Sequence, residues 1–267
     1  MAQSYLRTLV TVLFGLLVGL SYGQETREVK KTVPLSADGR VSIDTYKGSV
    51  TVTTWEKGEI EIFARIESDD HGRYAEERIR DTEVRIDATP TSVRIKSEYD
   101  KVRRHHGGFW GIFDGDWGSL PLVHYTIKMP RTAQLRIKDY KSEIKVSDLK
   151  SNADIETYKG RVDVLNLDGS LTLETYKGEV WADFVNLNAR SSFETYKGEI
   201  EVKLPKGKGF ELDADIGRRG RFDSDFDLER RTASRRDREY DYRGPVNGGG
   251  PTVSLKTSKG TIRLAQR

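Results

Sequence analysis

One five-residue phrase carries most of the side chains that could do chemistry. It runs Asp44-Thr45-Tyr46-Lys47-Gly48 and returns as Lys138-Asp139-Tyr140-Lys141-Ser142, Glu156-Thr157-Tyr158-Lys159-Gly160, Glu174-Thr175-Tyr176-Lys177-Gly178, Glu194-Thr195-Tyr196-Lys197-Gly198 and Lys256-Thr257-Ser258-Lys259-Gly260. From Tyr140 onward the tyrosines step by 18, 18 and 20 residues. If each copy lies on the next at the spacing of neighbouring β-strands, about 4.8 Å, then Tyr140, Tyr158, Tyr176 and Tyr196 form an outward ladder. Lys141, Lys159, Lys177 and Lys197 then line one side of it, and Glu156, Glu174 and Glu194 the other. Such a strip can dock a glycan by ring stacking, or a protein strand by stacking and charge. It can equally serve cohesion alone, with ring packing on ring and Glu screening the repulsion between lysines.

Other reactive groups are scattered. His105, His106, Asp114 and Asp116 have the donor types of a site for a borderline cation, although adjacent histidines in a Gly-rich loop also simply point apart. Asp114-Gly115-Asp116 and Asp223-Ser224-Asp225-Phe226-Asp227 lack the glycine at position six and the bidentate Glu at twelve that a calcium loop needs. No metal or cofactor is therefore expected. Asp139, Lys159 and Lys177 are the groups a polysaccharide-active β-helix enzyme would use. An active site, however, breaks a repeat with unique groups, and here the outward charges recur from turn to turn. No nucleophile elbow, zinc-protease helix, phosphate loop or dinucleotide fingerprint is present, so no catalytic activity is expected.

The elements that must position these residues follow from the repeat. Each phrase has a short alternating run on either side, so the unit reads strand, Gly corner, strand, turn. Period-two alternation sends Ile155, Thr157, Val162 and Val164 inward, and Glu156, Tyr158, Arg161 and Asp163 outward. The inward set changes parity between Thr157 and Val162. The bend that absorbs this slip falls on the corner residues Gly48, Gly160, Gly178, Gly198 and Gly260, where glycine can take φ > 0 without steric cost. The next units send Leu173, Thr175, Val180 and Ala182 inward, then Phe193, Thr195, Ile200 and Val202. A further step of 20 reaches Ile216 in Asp213-Ala214-Asp215-Ile216-Gly217, which looks like a degenerate copy.

A repeat this short cannot close its own core and must bury its apolar edge on its neighbours. The fold expected is all-β: a single-domain, parallel β-solenoid (β-helix-like) with 18–20-residue repeats and a wider N-terminal cap layer. Residues 24–130 supply that layer, with strands at Val41–Ile43, Val50–Thr54, Glu59–Ile66, Val84–Ile86 and Val93–Ser97, a short helix at Tyr74–Arg80 and an insertion at 103–119. The aromatic residues Phe109, Trp110, Phe113 and Trp117 of that insertion read either as a sticky tip or as a flap over an open edge. Residues 131–216 are the regular repeats, 218–250 a charged, mobile loop, and 252–267 the final strands.

Composition narrows the class. The 267 residues carry 45 Lys and Arg against 42 Asp and Glu, a net charge of +3, and 36% hydrophobic residues, which suits a folded chain. The near balance gives no general attraction to nucleic acid. With no cysteine there are no disulfides, thiolate metal sites or cysteine nucleophiles. Thr8 to Leu20 is an apolar run preceded by Arg7 and followed by the small residues Ser21 and Gly23, the pattern of a secretory signal peptide over residues 1–23. The run is shorter than the roughly 20 residues that span a bilayer. Export without cysteine suits a bacterial envelope protein, periplasmic or at the cell surface.

The Thr-x-x-Gly-x-Ile/Val repeats, the signal peptide, the entry strands around Val41–Val52 and the strand before Met129-Pro130 together resemble the bacterial putative-adhesin domain of unknown function. The likeness spans roughly Thr32 to Leu264. It implies an exported β-solenoid and identifies no site. The expected function is thus a non-catalytic, adhesin-like module whose partner is an envelope or extracellular protein or glycan. A purely structural envelope protein without a dedicated ligand is the alternative.

Overall fold

A computed structural model describes residues 26–70, 72, 74–106, 119–228, 230, 231 and 240–267. The expected signal peptide, the aromatic residues of the 103–119 insertion, Asp114, Asp116 and the side chains of His105 and His106 lie outside the described residues. In chain order the elements are β1 (Thr26–Pro34), β2 (Arg40–Asp44), β3 (Lys47–Trp55), β4 (Glu59–Glu67), α1 (Ala75–Asp81), β5 (Glu83–Thr89), β6 (Ser92–Glu98), α2 (Asp100–His106), β7 (Leu122–Pro130), β8 (Gln134–Lys138), β9 (Lys141–Ser147) and β10 (Asn152–Thr157). They continue with β11 (Arg161–Thr175), β12 (Glu179–Leu187), β13 (Ser191–Thr195), β14 (Glu199–Leu204), β15 (Phe210–Ile216), β16 (Arg221–Ser224), β17 (Arg230–Arg231), β18 (Tyr240–Val246), β19 (Thr252–Thr257) and β20 (Thr261–Gln266).

The protein is all-β and solenoid-like. Each regular turn gives one strand to each of two facing layers. The first layer runs β6, β2, β8, β10, β11, β13, β19, β15, all parallel. The second runs β7, β3, β9, β11, β12, β14, β20, β16, also parallel. Strand β11 belongs to both, pairing through Val162–Leu165 with β9 and through Thr172–Thr175 with β13. Ile155, Val162, Leu173, Ala182, Phe193 and Val202, expected to point inward, are at most 1% exposed and fill the space between the two layers. Thr157, Thr175 and Thr195 are buried beside the corners.

The expectation of a purely parallel sheet is corrected at both ends. Strands β1, β4 and β7 pair antiparallel, as do β5 with β6, β15 with β18 and, beyond it, β18 with β17. Antiparallel partners cover the exposed strand edges at the ends, and β5 and β6 are joined there by a tight turn, whereas a parallel partner needs a crossover. The 218–250 segment, expected as a mobile loop, carries β16, β17 and β18, and Phe222 packs on Tyr242 with ring centroids 4.8 Å apart. The short helix of the cap is present as α1, while α2 has no counterpart among the expected elements.

A second correction concerns order. The turn after Thr195 is not the one around Ile216. Thr195 pairs with Thr257, and Thr257 in turn with Ile216, so β19 and β20 slide between the β13–β14 turn and the β15–β16 turn. The same happens at the other end, where β2 and β3 lie between β6–β7 and β8–β9. The final strands therefore complete the interior of the stack, and simple sequential winding holds only for its middle turns.

Candidate functional site: a tyrosine-walled groove

The corners stack because their backbones are bonded to one another. Lys141 N–H donates to Tyr46 O, Lys159 to Tyr140, Lys177 to Tyr158, Lys197 to Tyr176 and Lys259 to Tyr196, at 2.9–3.1 Å. Inside three of the corners a buried hydroxyl accepts a glycine N–H: Thr175 from Gly178 at 2.9 Å, Thr195 from Gly198 at 2.8 Å and Thr257 from Gly260 at 2.9 Å. This clasp explains the Thr-x-x-Gly spacing, because the Thr oxygen meets an otherwise unpaired backbone donor three residues on.

The 139–142 corner replaces both residues of the clasp together. Asp139 accepts Ser142 N–H at 2.7 Å, Ser142 Oγ–H at 2.6 Å and Thr157 Oγ–H at 2.9 Å. It is 7% exposed, and burial pushes its carboxyl above the usual range against these bonds. Asp139 is thus a corner clasp enclosed by its partners, unlike an outward acid of a catalytic face.

The corner glycines are required for two different reasons. Gly48 and Gly160 take φ of 128° and 119°, as the parity slip predicts. Gly178, Gly198 and Gly260 do not adopt positive φ; a Cβ on Gly198 or Gly260 would instead lie 2.1 Å from the carbonyl oxygen of the glycine one turn below. Close approach of stacked backbones is what these three positions need.

With the corners fixed, the rings fall into register. Tyr46, Tyr140, Tyr158, Tyr176 and Tyr196 form one continuous stack with centroid spacings of 4.7, 5.0, 4.8 and 4.9 Å and interplanar angles of 3–8°. Tyr46 belongs to this ladder although it stands far upstream; its Asp-Thr-Tyr-Lys-Gly phrase was the signal, and the insertion of β2–β3 into the stack makes it a neighbour of Tyr140. Tyr99 meets Tyr46 edge-on at 6.2 Å, and Ser258 ends the series at the other side. The ammonium groups of Lys159, Lys177 and Lys197 lie 5.3–5.7 Å from the ring centroids of Tyr158, Tyr176 and Tyr196. Lys259 reaches Tyr196 as well, at 5.0 Å, and its hydrogen bond and charge hold that phenol below the usual tyrosine range.

Across from the rings runs a second row. Register places Asp44, Lys138, Glu156, Glu174, Glu194, Lys256 and Asp215 side by side on successive strands. Lys138 pairs with Glu156 at 3.3 Å and Lys256 with Glu194 at 2.7 Å, the latter raising the lysine above its ordinary value. Between the two rows lies an open groove of about 550 Å³, walled by the five tyrosines and the acids and floored by Thr157, Thr175 and Thr195.

A hydrogen-bonded Ser–His–Glu set is one that the sequence does not announce. Ser49 Oγ lies 2.9 Å from His124 Nδ1, and His124 Nε2 3.1 Å from Glu67 Oε1. The three residues come from β3, β7 and β4, and only the pairing of those strands joins them. The order is that of a nucleophilic triad, but Ser49 sits mid-strand with parallel partners on both sides. Its neighbouring N–H groups are committed to the ladder, so they cannot serve a developing oxyanion. The arrangement works as a cross-strand clasp. Among the described residues no group of three His, Cys, Asp or Glu converges to hold a metal ion, and no helix is long and apolar enough to cross a membrane.

Residues 10–265 match the Toastrack DUF4097 family, and the chain belongs to it. The putative-adhesin resemblance seen in the repeats points to this same family. Solved structures that the chain matches include a putative cell adhesion protein from Clostridium sporogenes, at 12% identity over 91% of this chain and 100% of that one, with a TM-score of 0.46. A putative adhesin from Bacteroides fragilis is also 12% identical, over 90% of this chain and 97% of that one, with a TM-score of 0.36. A putative lipid binding protein from Parabacteroides distasonis is 10% identical over 89% and 96% of the two chains, with a TM-score of 0.29. At such identities what those proteins bind is not transferred to this chain. No functionally curated protein matches it.

Proposed function

We propose that this protein is an exported, non-catalytic, adhesin-like module of the bacterial envelope, a single β-solenoid domain that contacts an envelope or extracellular component through the tyrosine-walled groove. The observation that carries this reading is the groove itself: five aromatic rings, from corners scattered along the chain, line one open side of the molecule opposite a row of acids. Aromatic anchors dominate contact surfaces, and Tyr140 and Tyr158 are 38% and 37% exposed.

The ladder also restricts how a partner is met. Parallel rings about 5 Å apart cover one another's faces, so a sugar cannot lie flat on Tyr140, Tyr158 or Tyr176. A ligand of this groove meets ring edges, phenol hydroxyls and carboxylates. The test is retention of the purified protein on envelope material. Tyr158→Ser combined with Tyr176→Ser is expected to abolish retention while the denaturant midpoint shows only a modest loss. Retention equal to wild type by a folded double variant would leave the purely structural role.

A further inference from the structure

The acid row gives the groove a chemical preference. Glu156, Glu174 and Glu194 stand in register on adjacent strands, so three like charges repeat at the strand spacing, an arrangement that costs stability unless compensated. Among the described residues the row forms ion pairs only at its ends, Lys138 with Glu156 and Lys256 with Glu194, and Lys256 acts on Glu174 through space alone. Glu174, between them, is exposed and has no cation within ion-pair distance among the described residues. Acids alone would be an ordinary solvated edge. Here they form one wall of a groove whose other wall is aromatic and whose phenol oxygens can accept hydrogen bonds. Because among the described residues no three acids converge on one point, a single metal ion does not fit the pattern, whereas charges spread along a line do.

Resting on the reading that this groove is the contact surface, we propose that its occupant is a linear chain of alkylammonium groups, lying along the stack with nitrogens facing successive carboxylates and methylenes against the tyrosine edges. The rings set the pitch at 4.7–5.0 Å. Two nitrogens separated by three methylenes in an extended chain lie about 5 Å apart, from ordinary bond lengths and angles, so a three-carbon oligoamine keeps step with the acids. Such a chain can come as a free polyamine or as a cationic arm displayed on an envelope component.

Titration calorimetry with bis(3-aminopropyl)amine at low salt separates the outcomes. Wild type is expected to bind this triamine, more tightly than 1,8-diaminooctane, whose nitrogens skip the pitch, and binding should weaken as salt rises. Glu174→Gln, an exposed and isosteric change, is expected to weaken it about 1.5- to 5-fold, the range of an exposed ion pair, and Tyr158→Ser to weaken it without unfolding the protein. If the triamine also displaces the protein from envelope material, the source is a displayed cationic arm; if it binds without displacing, the source is the free polyamine. No binding by wild type, or equal binding by Glu174→Gln, overturns the proposal. If attachment to envelope material nonetheless depends on Tyr158 and Tyr176, the groove remains the contact surface and only its assignment to amines falls.

Discussion

At the scale of single residues, the corners separate conformational strain from close packing. Gly198→Ala places a Cβ 2.1 Å from Gly178 O, which cannot retreat without shifting the adjacent turn; a loss of about 1–3 kcal/mol is expected, as for overpacking elsewhere. Gly207, with φ of 77° and open space within 4 Å of where a Cβ would stand, isolates the strain alone, and Gly207→Ala should cost about 1–2 kcal/mol. Equal midpoints for Gly198→Ala and wild type would show that the turns are less tightly apposed. Asp139 gives a pH signature. Ser142, Thr157, the Tyr140 N–H and Tyr99, itself near Arg103, face it, and burial raises its carboxyl above the unfolded value of 3.8. The folded state thus holds this proton more tightly, so its stabilising contribution is present below the unfolded value and is lost as pH rises through the folded one. Asp139→Asn removes that contribution. Its stability deficit relative to wild type is expected to be larger at pH 4 than at pH 7, measured by denaturant midpoints; a pH-independent difference would contradict the raised carboxyl. The sequence has Asp139 and Ser142 where other copies have Thr and Gly, but could not show that the two residues bond each other and Thr157 one turn away.

At the scale of elements, period-two alternation was a sufficient guide wherever a strand has one face in the core. Ile155, Thr157, Val162 and Val164 and their counterparts in the next two turns are buried as the pattern requires. The pattern was silent where pairing direction decides. Alternation is identical for parallel and antiparallel strands, so the antiparallel pairings of β1 with β4, β5 with β6 and β15 with β18 were not legible. The tyrosine ladder was legible as spacing. Its fifth ring was not, since Tyr46 joins through a pairing of β2 with β8 that no local periodicity encodes. The Ser49–His124–Glu67 clasp failed to show for the same reason: its members are far apart in sequence and carry no shared motif.

At the scale of the whole molecule, the stack is sealed by segments that return from elsewhere in the chain. Strands β19 and β20 bury Val253, Leu255, Ile262 and Leu264 at 0–1% exposure between turns that are otherwise consecutive in sequence. Deleting residues 252–267 removes these four side chains from the interior and leaves β15 and β16 without their parallel partners. Core truncations cost about 2–5 kcal/mol each, so the shortened chain is expected to lose its cooperative unfolding transition. A deletion variant that unfolds with a near-normal midpoint would contradict the interleaved order. The same interleaving explains why the groove spans so much of the molecule: its corner at one end comes from β2 and β3, and its last turn from the chain's final strands.

On the function proposed above, the tyrosine-walled groove is the surface this protein uses. Chemical nitration of tyrosines, with and without saturating envelope material and read by peptide mass, tests it directly. Tyr140 and Tyr158 lie on the groove, while Tyr74 is equally open at 39% exposure but sits on the cap beside α1, away from it. Bound material is expected to protect Tyr140 and Tyr158 and to leave Tyr74 unchanged. Unaltered nitration of Tyr140 and Tyr158 in protein shown to be bound would contradict this and place the contact on another face.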